Sequence, residues 1–142
     1  MKNGIILLLV VYSFCSCKNN AGTGGSATIK GKVYERKYDY NYTTVVGEGN
    51  ADAKKVYIIY GNDLGVGQYV DTNFDGTYEF KYLQKGHYKI FMYTIDTSGV
   101  YKNAMNRTAP PQYILKEVDI TSGSQITNVN FDIIPVPKPP KI

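Results

Sequence analysis

The chain has 142 residues, with 16 basic and 12 acidic side chains and a formal net charge of +4. Its lysines are interspersed with acidic residues, so no basic stripe indicates a nucleic-acid partner. The length beyond the amino-terminal segment suffices for one domain with one hydrophobic core.

The amino-terminal segment begins with the positive charge of Lys2 and continues as an apolar run over residues 4–14. A run of this length is typical of a secretory signal peptide and is too short to cross a bilayer as a helix. It ends in Phe14-Cys15-Ser16-Cys17, which resembles the lipobox of bacterial lipoproteins. The resemblance implies cleavage before Cys17 and about three acyl chains on that cysteine, which anchor a protein permanently. The alternative is an ordinary secretory signal with incidental cysteines.

The cysteine count agrees with lipidation. The chain contains only Cys15 and Cys17; cleavage removes the first, and lipid consumes the thiol of the second. The mature domain then has no thiol for a disulfide, a thiolate metal site or a cysteine nucleophile. We therefore predict a signal peptide over residues 1–16, the lipidated cysteine and a flexible tether over 17–26, a folded domain over 27–134, and a stiff Pro-rich tail over 135–142.

The predicted domain is rich in Tyr, Val, Ile, Phe and Thr, and Gly, Asn and Asp interrupt it at short intervals. Apolar and polar residues alternate with the period of two that places one set on each side of a sheet. The pattern predicts an all-β, seven-stranded antiparallel sandwich. The predicted strands are 27–34, 55–60, 67–71, 77–83, 87–95, 113–121 and 126–134.

One stretch carries a family resemblance. From Thr72 to Ile90 the chain follows the pattern T-x-x-D-G-x-Y-x-F-x-x-L-x-x-G-x-Y-x-I. This resembles the carboxypeptidase regulatory-like domain family, whose members are seven-stranded, transthyretin-like (prealbumin-like) sandwiches. The resemblance implies the fold and an accessory, non-catalytic module; a sandwich by itself does not specify a function.

The long connections are the first place to look for a binding site. If consecutive strands alternate in direction, the connections 35–54, 72–76 and 96–112 all lie at the pole opposite the tether. The first would carry Tyr38, Tyr40 and Tyr42 on one side of an extended segment, and Tyr101 in the last would join them. Such rings predict an aromatic platform for a sugar or a partner protein. The alternative is that they cover the edge of the core.

Other site chemistry is sparse. Asp71, Asn73 and Asp75 followed by Gly76 match the first half of a calcium loop, D-x-N-x-D-G, although the twelfth position is Tyr82 instead of Glu. The alternative for the same residues is a plain turn. His87 is the only histidine, no Ser lies in a nucleophile elbow, and no cluster has metal-ligand spacing. We therefore expect no enzymatic activity and no cofactor besides the lipid.

These patterns favour a lipid-anchored envelope protein that acts as an accessory or structural subunit of a membrane-associated protein assembly. The alternative is a lipoprotein that binds a glycan or small ligand through its Tyr-rich distal loops. The signal resembles that of Bacteroidota lipoproteins. Lys18 follows the cysteine where inner-membrane lipoproteins have Asp, which predicts the outer membrane, on either its periplasmic or its surface face.

Overall fold

The computed structural model describes residues 20–39, 44–94 and 112–133, and its regular elements in these ranges are all β-strands. Two sheets pack face to face, so the predicted all-β sandwich is confirmed. The strands are β1 (Thr23–Tyr38), β2 (Val45–Asn50), β3 (Lys55–Tyr60), β4 (Gln68–Asp71), β5 (Thr77–Leu83), β6 (Gly86–Thr94), β7 (Gln112–Ile120), β8 (Ile126–Asn128) and β9 (Phe131–Ile133). No helix in the described ranges is long and apolar enough to cross a membrane.

The first sheet is organised around the long strand β1. Its first half pairs antiparallel with β5 and its second half antiparallel with β2. At the junction, the Val33 amide donates to the Gly76 carbonyl (2.9 Å) and the Val33 carbonyl accepts from the Ala51 amide (3.0 Å). Strands β8 and β9, which together occupy the predicted seventh strand, both pair with β1 in parallel, as expected if the seven predicted strands alternate in direction.

The second sheet has the order β4-β3-β6-β7 and is antiparallel throughout. Its register brings Tyr57 of β3 opposite Tyr69 of β4 on one side and Phe91 of β6 on the other. Phe91 in turn lies opposite Leu115 of β7. One transverse row of the sheet therefore consists of three aromatic residues and a leucine.

The core lies between the sheets and follows the predicted alternation. Ile29 and Val33 of β1 are buried while Lys30 and Lys32 are exposed. The largest fully buried side chains are Tyr88, Phe80, Phe131, Ile29, Ile58, Leu83, Ile90 and Met92. Both sheets contribute to this list, because each turns one apolar face towards the other.

The alternation fails at Tyr82, which the sequence pattern places on the buried face with Tyr78 and Phe80. Tyr82 has a left-handed backbone (φ 60°) and is exposed, while the next residue, Leu83, is fully buried. The pairing between β1 and β5 also shifts register at this point. The irregularity reverses which residues point inwards, so Leu83 fills the core position.

The start of the fold lies earlier than predicted. Strand β1 begins at Thr23, so the described end of the predicted tether is part of the sandwich. Ala21 packs on the core, and the Tyr88 hydroxyl donates to the Gly22 carbonyl and accepts from the Gly22 amide, both at 3.0 Å. The tether prediction is therefore wrong for this part of the chain, because a buried tyrosine hydroxyl needs hydrogen-bond partners and the segment supplies them.

The connection predicted over residues 35–54 is largely a hairpin. Strand β1 continues to Tyr38 and pairs with β2, with Tyr34 opposite Asn50 and Arg36 opposite Glu48. The Arg36 Nε lies 3.1 Å from a Glu48 carboxylate oxygen across the two strands.

The predicted final strand is instead two short strands separated at Val129 and Asn130. The described ranges hold nine strands instead of the seven predicted, because β2 was not predicted and the predicted last strand is divided into β8 and β9.

Thr72 holds the β2–β3 connection against the end of β4. It is buried; its hydroxyl donates to the Ala51 carbonyl (2.6 Å) and accepts from the Lys54 amide (2.9 Å). Thr72→Val would keep the shape of the side chain but remove its hydroxyl, so the Ala51 carbonyl and the Lys54 amide would each lose this hydrogen-bond partner. We expect it to lower the free energy of unfolding by about 1–3 kcal/mol. Urea unfolding measures the loss, and Thr72→Ser, which keeps the hydroxyl, should lose clearly less; equal losses would contradict the hydrogen-bond explanation.

We expect Tyr78 to make the stability of the fold sensitive to alkaline pH. Its hydroxyl donates to the Val129 carbonyl, and burial raises the pKa of this hydroxyl above its ordinary value of 10.0. Folding therefore favours the neutral hydroxyl. Its contribution to the stability of the fold is complete below pH 10.0 and is lost as the pH rises further. Above that pH we expect Tyr78→Phe to reduce the fall in stability by about 1.4 kcal/mol per pH unit. Unfolding curves between neutral and alkaline pH test this, and parallel pH profiles of the two proteins would contradict it.

Candidate functional site

Aromatic side chains cover one half of the outer surface of the second sheet. Val56 and Ile58 point into the core, so Tyr57 between them points outwards. On β6, Ile90 and Met92 point inwards and Phe91 and Tyr93 outwards. The edge strands add Tyr69 and Tyr113, which lie opposite Tyr57 and Tyr93. We call these five residues, Tyr57, Tyr69, Phe91, Tyr93 and Tyr113, the aromatic band.

The rings of the aromatic band contact one another across four strands. Tyr57 and Phe91 are stacked, with centroids 5.0 Å apart and an interplanar angle of 14°. Tyr93 meets both of them edge to face, at 5.4 and 5.6 Å. Tyr113 meets Phe91 edge to face at 6.3 Å, and Tyr69 is tilted against Tyr57 at 5.9 Å. These are favoured aromatic geometries, so the side chains hold each other in place.

Exposure divides the band into a covered part and an open part. Phe91 is only 8% exposed although it points away from the core. The other band members Tyr69, Tyr93 and Tyr113 are 54%, 49% and 62% exposed. Together with the exposed Leu115 they form a contiguous apolar surface with tyrosine hydroxyls on it. Contiguous exposed patches of this kind mark binding surfaces.

Charged side chains border the aromatic band. At the β4 edge, the Lys55 ammonium lies 3.0 Å from an Asp71 carboxylate oxygen and 4.3 Å from the centroid of the Tyr69 ring. The hydrogen bond to Asp71 raises the pKa of Lys55. Further along β6 the outward positions are Lys89 and His87, and the His87 Nδ1 lies 2.8 Å from Asp119. The open rings therefore form a neutral area between charged borders.

The band lies towards the pole opposite the point where the chain enters the fold. Ala21 sits against Gly61 and Gly86, because a Cβ added at those glycines would lie 3.9 Å from the Ala21 Cβ and 2.7 Å from its amide nitrogen. Gly61 follows the end of β3, and Tyr57 lies about 13 Å away along that strand. The β1–β2 hairpin and the turn after Asp71 lie at the band's pole, so the predicted placement of these connections is confirmed.

The tyrosines predicted as a platform are not those of the band. Tyr38 is half-buried at the end of β1, opposite Val45. Tyr40, Tyr42 and Tyr101 lie outside the described residues, as does the predicted lipidation site Cys17, so these remain predictions. The band was missed because its members come from four separate strands. The alternation of the sequence indicates that Tyr57, Phe91 and Tyr93 point outwards. Which of these side chains contact one another depends on the order of the strands in the sheet.

The side chains of the predicted calcium loop are engaged by other groups of the protein. The Asp75 carboxylate accepts from the Thr77 amide (3.0 Å) and hydroxyl (2.7 Å), while the Asn73 amide group donates to that hydroxyl. Asp71 instead pairs with Lys55. The Gly76 amide donates to the Asn73 carbonyl (2.8 Å), which closes the plain turn that was the alternative. Within the described ranges no group of three or more His, Cys, Asp or Glu side chains is arranged to hold a metal ion.

Comparisons with known proteins identify the fold. No protein-family model matches the chain, and no curated protein matches it. Among solved structures it is similar to the crystal structure of a proposed carbohydrate-binding protein from Pseudomonas aeruginosa. The match has a TM-score of 0.50 at 15% sequence identity and covers 79% of this chain and 91% of that chain. At this level of identity, the similarity shows that the two proteins share a sandwich fold.

Proposed function

We propose that this protein is a non-catalytic, lipid-anchored envelope protein that binds a saccharide across the aromatic band. The observation that carries the proposal is the ring cluster itself: five aromatic side chains on the outer face of one sheet, three of them about half exposed or more. The folded core does not need these exposed ring faces, which leaves them available to a ligand.

The chemistry of the surface matches a saccharide. One face of many sugar rings presents C–H groups that pack on aromatic rings, and the hydroxyls at the ring edge hydrogen bond to tyrosine hydroxyls. The row Tyr69–Tyr57–Phe91–Leu115 crosses four strands, or about 14 Å, which is wide enough for more than one sugar ring. The ligand class proposed for the structural neighbour from Pseudomonas aeruginosa is the same.

Membrane attachment is the second part of the proposal and rests on the lipobox-like Phe14-Cys15-Ser16-Cys17. With lipid on Cys17, the chain enters the fold at Ala21, at the pole opposite the band. The band would then face away from the membrane, where it can reach a polysaccharide of the envelope. Lys18 after the cysteine supports the outer membrane as the location.

A polysaccharide array tests the proposal directly. The full chain is expressed with its signal, extracted in mild detergent and applied to immobilised polysaccharides, with an intact-mass measurement of Cys17 on the same sample. We expect lipid on Cys17 and retention by a subset of the polysaccharides. A lipidated protein that no polysaccharide retains would overturn saccharide binding and leave anchoring intact.

A second candidate is an accessory subunit of an envelope assembly, favoured by the edge strand β2. Val45 and Val46 are exposed at the start of this strand, and β2 pairs only with β1 among the described strands. An open strand edge with exposed valines is a surface on which another protein can add a strand. A stoichiometric membrane partner retained in a mild-detergent pull-down, and lost with Val46→Lys, would favour this function.

A further inference from the structure

The loop between β3 and β4 is apolar at its tip, and the core does not explain this. Leu64 is fully exposed and Val66 is about half exposed. We call residues 62–66 the anchor-side loop. Its base is fixed, because the Gly61 amide donates to the His87 carbonyl (2.8 Å) and the Gly67 amide to the Ile58 carbonyl (2.9 Å). An ordered loop thus presents two branched apolar side chains to the surroundings.

This loop lies at the pole where the chain enters the fold. Ala21 packs beside Gly61, the residue directly before the loop. The Tyr88 hydroxyl hydrogen bonds to the following Gly22 and lies 2.7 Å from the Gln84 carbonyl oxygen. The entry point, the anchor-side loop and the β5–β6 turn with the exposed Lys85 therefore form one end of the domain.

The covalent distance to the proposed lipid is short. Four residue steps separate Cys17 from Ala21, and an extended chain covers at most about 14 Å in four steps. With the predicted tether reduced to residues 18–20, the domain has little freedom to lift this pole from the membrane. The exposed apolar side chains must then lie close to the bilayer surface.

We infer that the anchor-side loop inserts Leu64 and Val66 into the bilayer interface. This inference rests on the proposed lipidation of Cys17. The occupant of this surface is the lipid bilayer itself. Leu64 and Val66 gain apolar contact there, and the nearby Lys85 ammonium meets anionic headgroups. This second contact fixes the orientation of the domain on the membrane, an arrangement that we call the seat, and it holds the aromatic band at the far pole towards the envelope.

Two matched labelling positions test this seat. Phe74 is exposed at a turn tip of the opposite pole, as Leu64 is at the anchor pole. After cleavage and lipidation, Leu64→Cys and Phe74→Cys each carry one free thiol, which takes an environment-sensitive fluorophore. The full lipidated chain is reconstituted in phosphatidylethanolamine–phosphatidylglycerol vesicles, with and without lipids that carry a quencher, and circular dichroism checks the fold.

We expect a blue shift and quenching by the labelled lipids at Leu64→Cys, and a water-like, unquenched spectrum at Phe74→Cys. A water-like spectrum at both positions, or a blue shift at Leu64→Cys without quenching, which indicates a protein contact, would overturn the seat while anchoring stands. An intact mass without lipid on Cys17 would overturn anchoring and the seat together. Saccharide binding is measured separately on the array and is independent of these outcomes.

Discussion

Replacing Gly31 by alanine is expected to cost about 3 kcal/mol or more of the free energy of unfolding. A Cβ built at Gly31 would lie 1.8 Å from the Val129 carbonyl oxygen and 2.8 Å from a carbon of the Tyr78 ring. The first contact is with backbone, which no change of rotamer relieves. A glycine within a strand is typical of such a close approach by a second stretch of backbone.

The reason for the close approach is the division between β8 and β9. At this point Val129 crosses against β1, and its amide donates to the Lys30 carbonyl (2.8 Å) while its carbonyl accepts from the buried Tyr78 hydroxyl. Alanine at position 31 would push Val129 away and break these bonds. A domain of this size has a total stability of about 5–15 kcal/mol, so the loss is a large share of it.

Gly47→Ala is the matched control. Gly47 lies in β2 of the same sheet, and a Cβ there meets nothing within 4 Å. We expect its free energy of unfolding to stay within about 0.5 kcal/mol of the wild type, as for other surface changes. Urea unfolding followed by tyrosine fluorescence compares the three proteins. If Gly31→Ala were as stable as Gly47→Ala, the crossing of Val129 over β1 would be wrong.

The inward and outward faces of the strands could be predicted from the sequence because burial follows a period of two. Ile29, Val33, Val56 and Ile58 all point as the alternation predicts. The same rule fails at Tyr82, since a period of two assumes regular backbone and a left-handed residue breaks it. The hairpin of β1 and β2 was also missed. Its exposed strand alternates weakly, and its cross-strand partners, such as Arg36 and Glu48, are polar residues typical of loops.

The aromatic band could not be predicted from local pattern alone. Tyr57, Phe91 and Tyr113 are separated by long stretches of sequence, and their contact depends on the order β4-β3-β6-β7 and its register. By contrast, Tyr38, Tyr40 and Tyr42 attracted attention because they are close in sequence. Binding surfaces on sheets are assembled across strands, so spacing along the chain is a poor guide to them.

The aromatic band and the point where the chain enters the fold lie at opposite poles of the domain. On the outer face of the second sheet, aromatic rings cover one half and charged side chains the other. Tyr93 and Tyr113 lie at one end of this face, and His87 and Asp119 lie at the other. The chain enters at the charged end. The proposed lipid anchor at that end would leave the rings as the part of the sheet most accessible to the proposed polysaccharide. The same arrangement would make the exposed rings, and not the core, the determinants of binding.

Truncating the exposed rings should weaken saccharide binding without unfolding the domain. Tyr93 and Tyr113 are paired across β6 and β7 and are the open members of the band on that side. We expect Tyr93→Ala and Tyr113→Ala each to weaken binding by about tenfold or more, because truncating a central aromatic contact costs about 2 kcal/mol. Their loss of stability should be smaller, about 0.2–1 kcal/mol for a cross-strand pair.

Two further variants separate the causes. Tyr82→Ala removes an exposed tyrosine from the other sheet and should bind as the wild type does. Tyr93→Phe keeps the ring and loses the hydroxyl, so binding close to the wild type would assign the affinity to ring stacking, and binding close to Tyr93→Ala would assign it to the hydroxyl. Affinities are measured by calorimetry with a polysaccharide retained on the array. A double variant of Tyr93 and Tyr113 to alanine that binds like the wild type would exclude the band as the binding surface and favour the protein-docking function of β2.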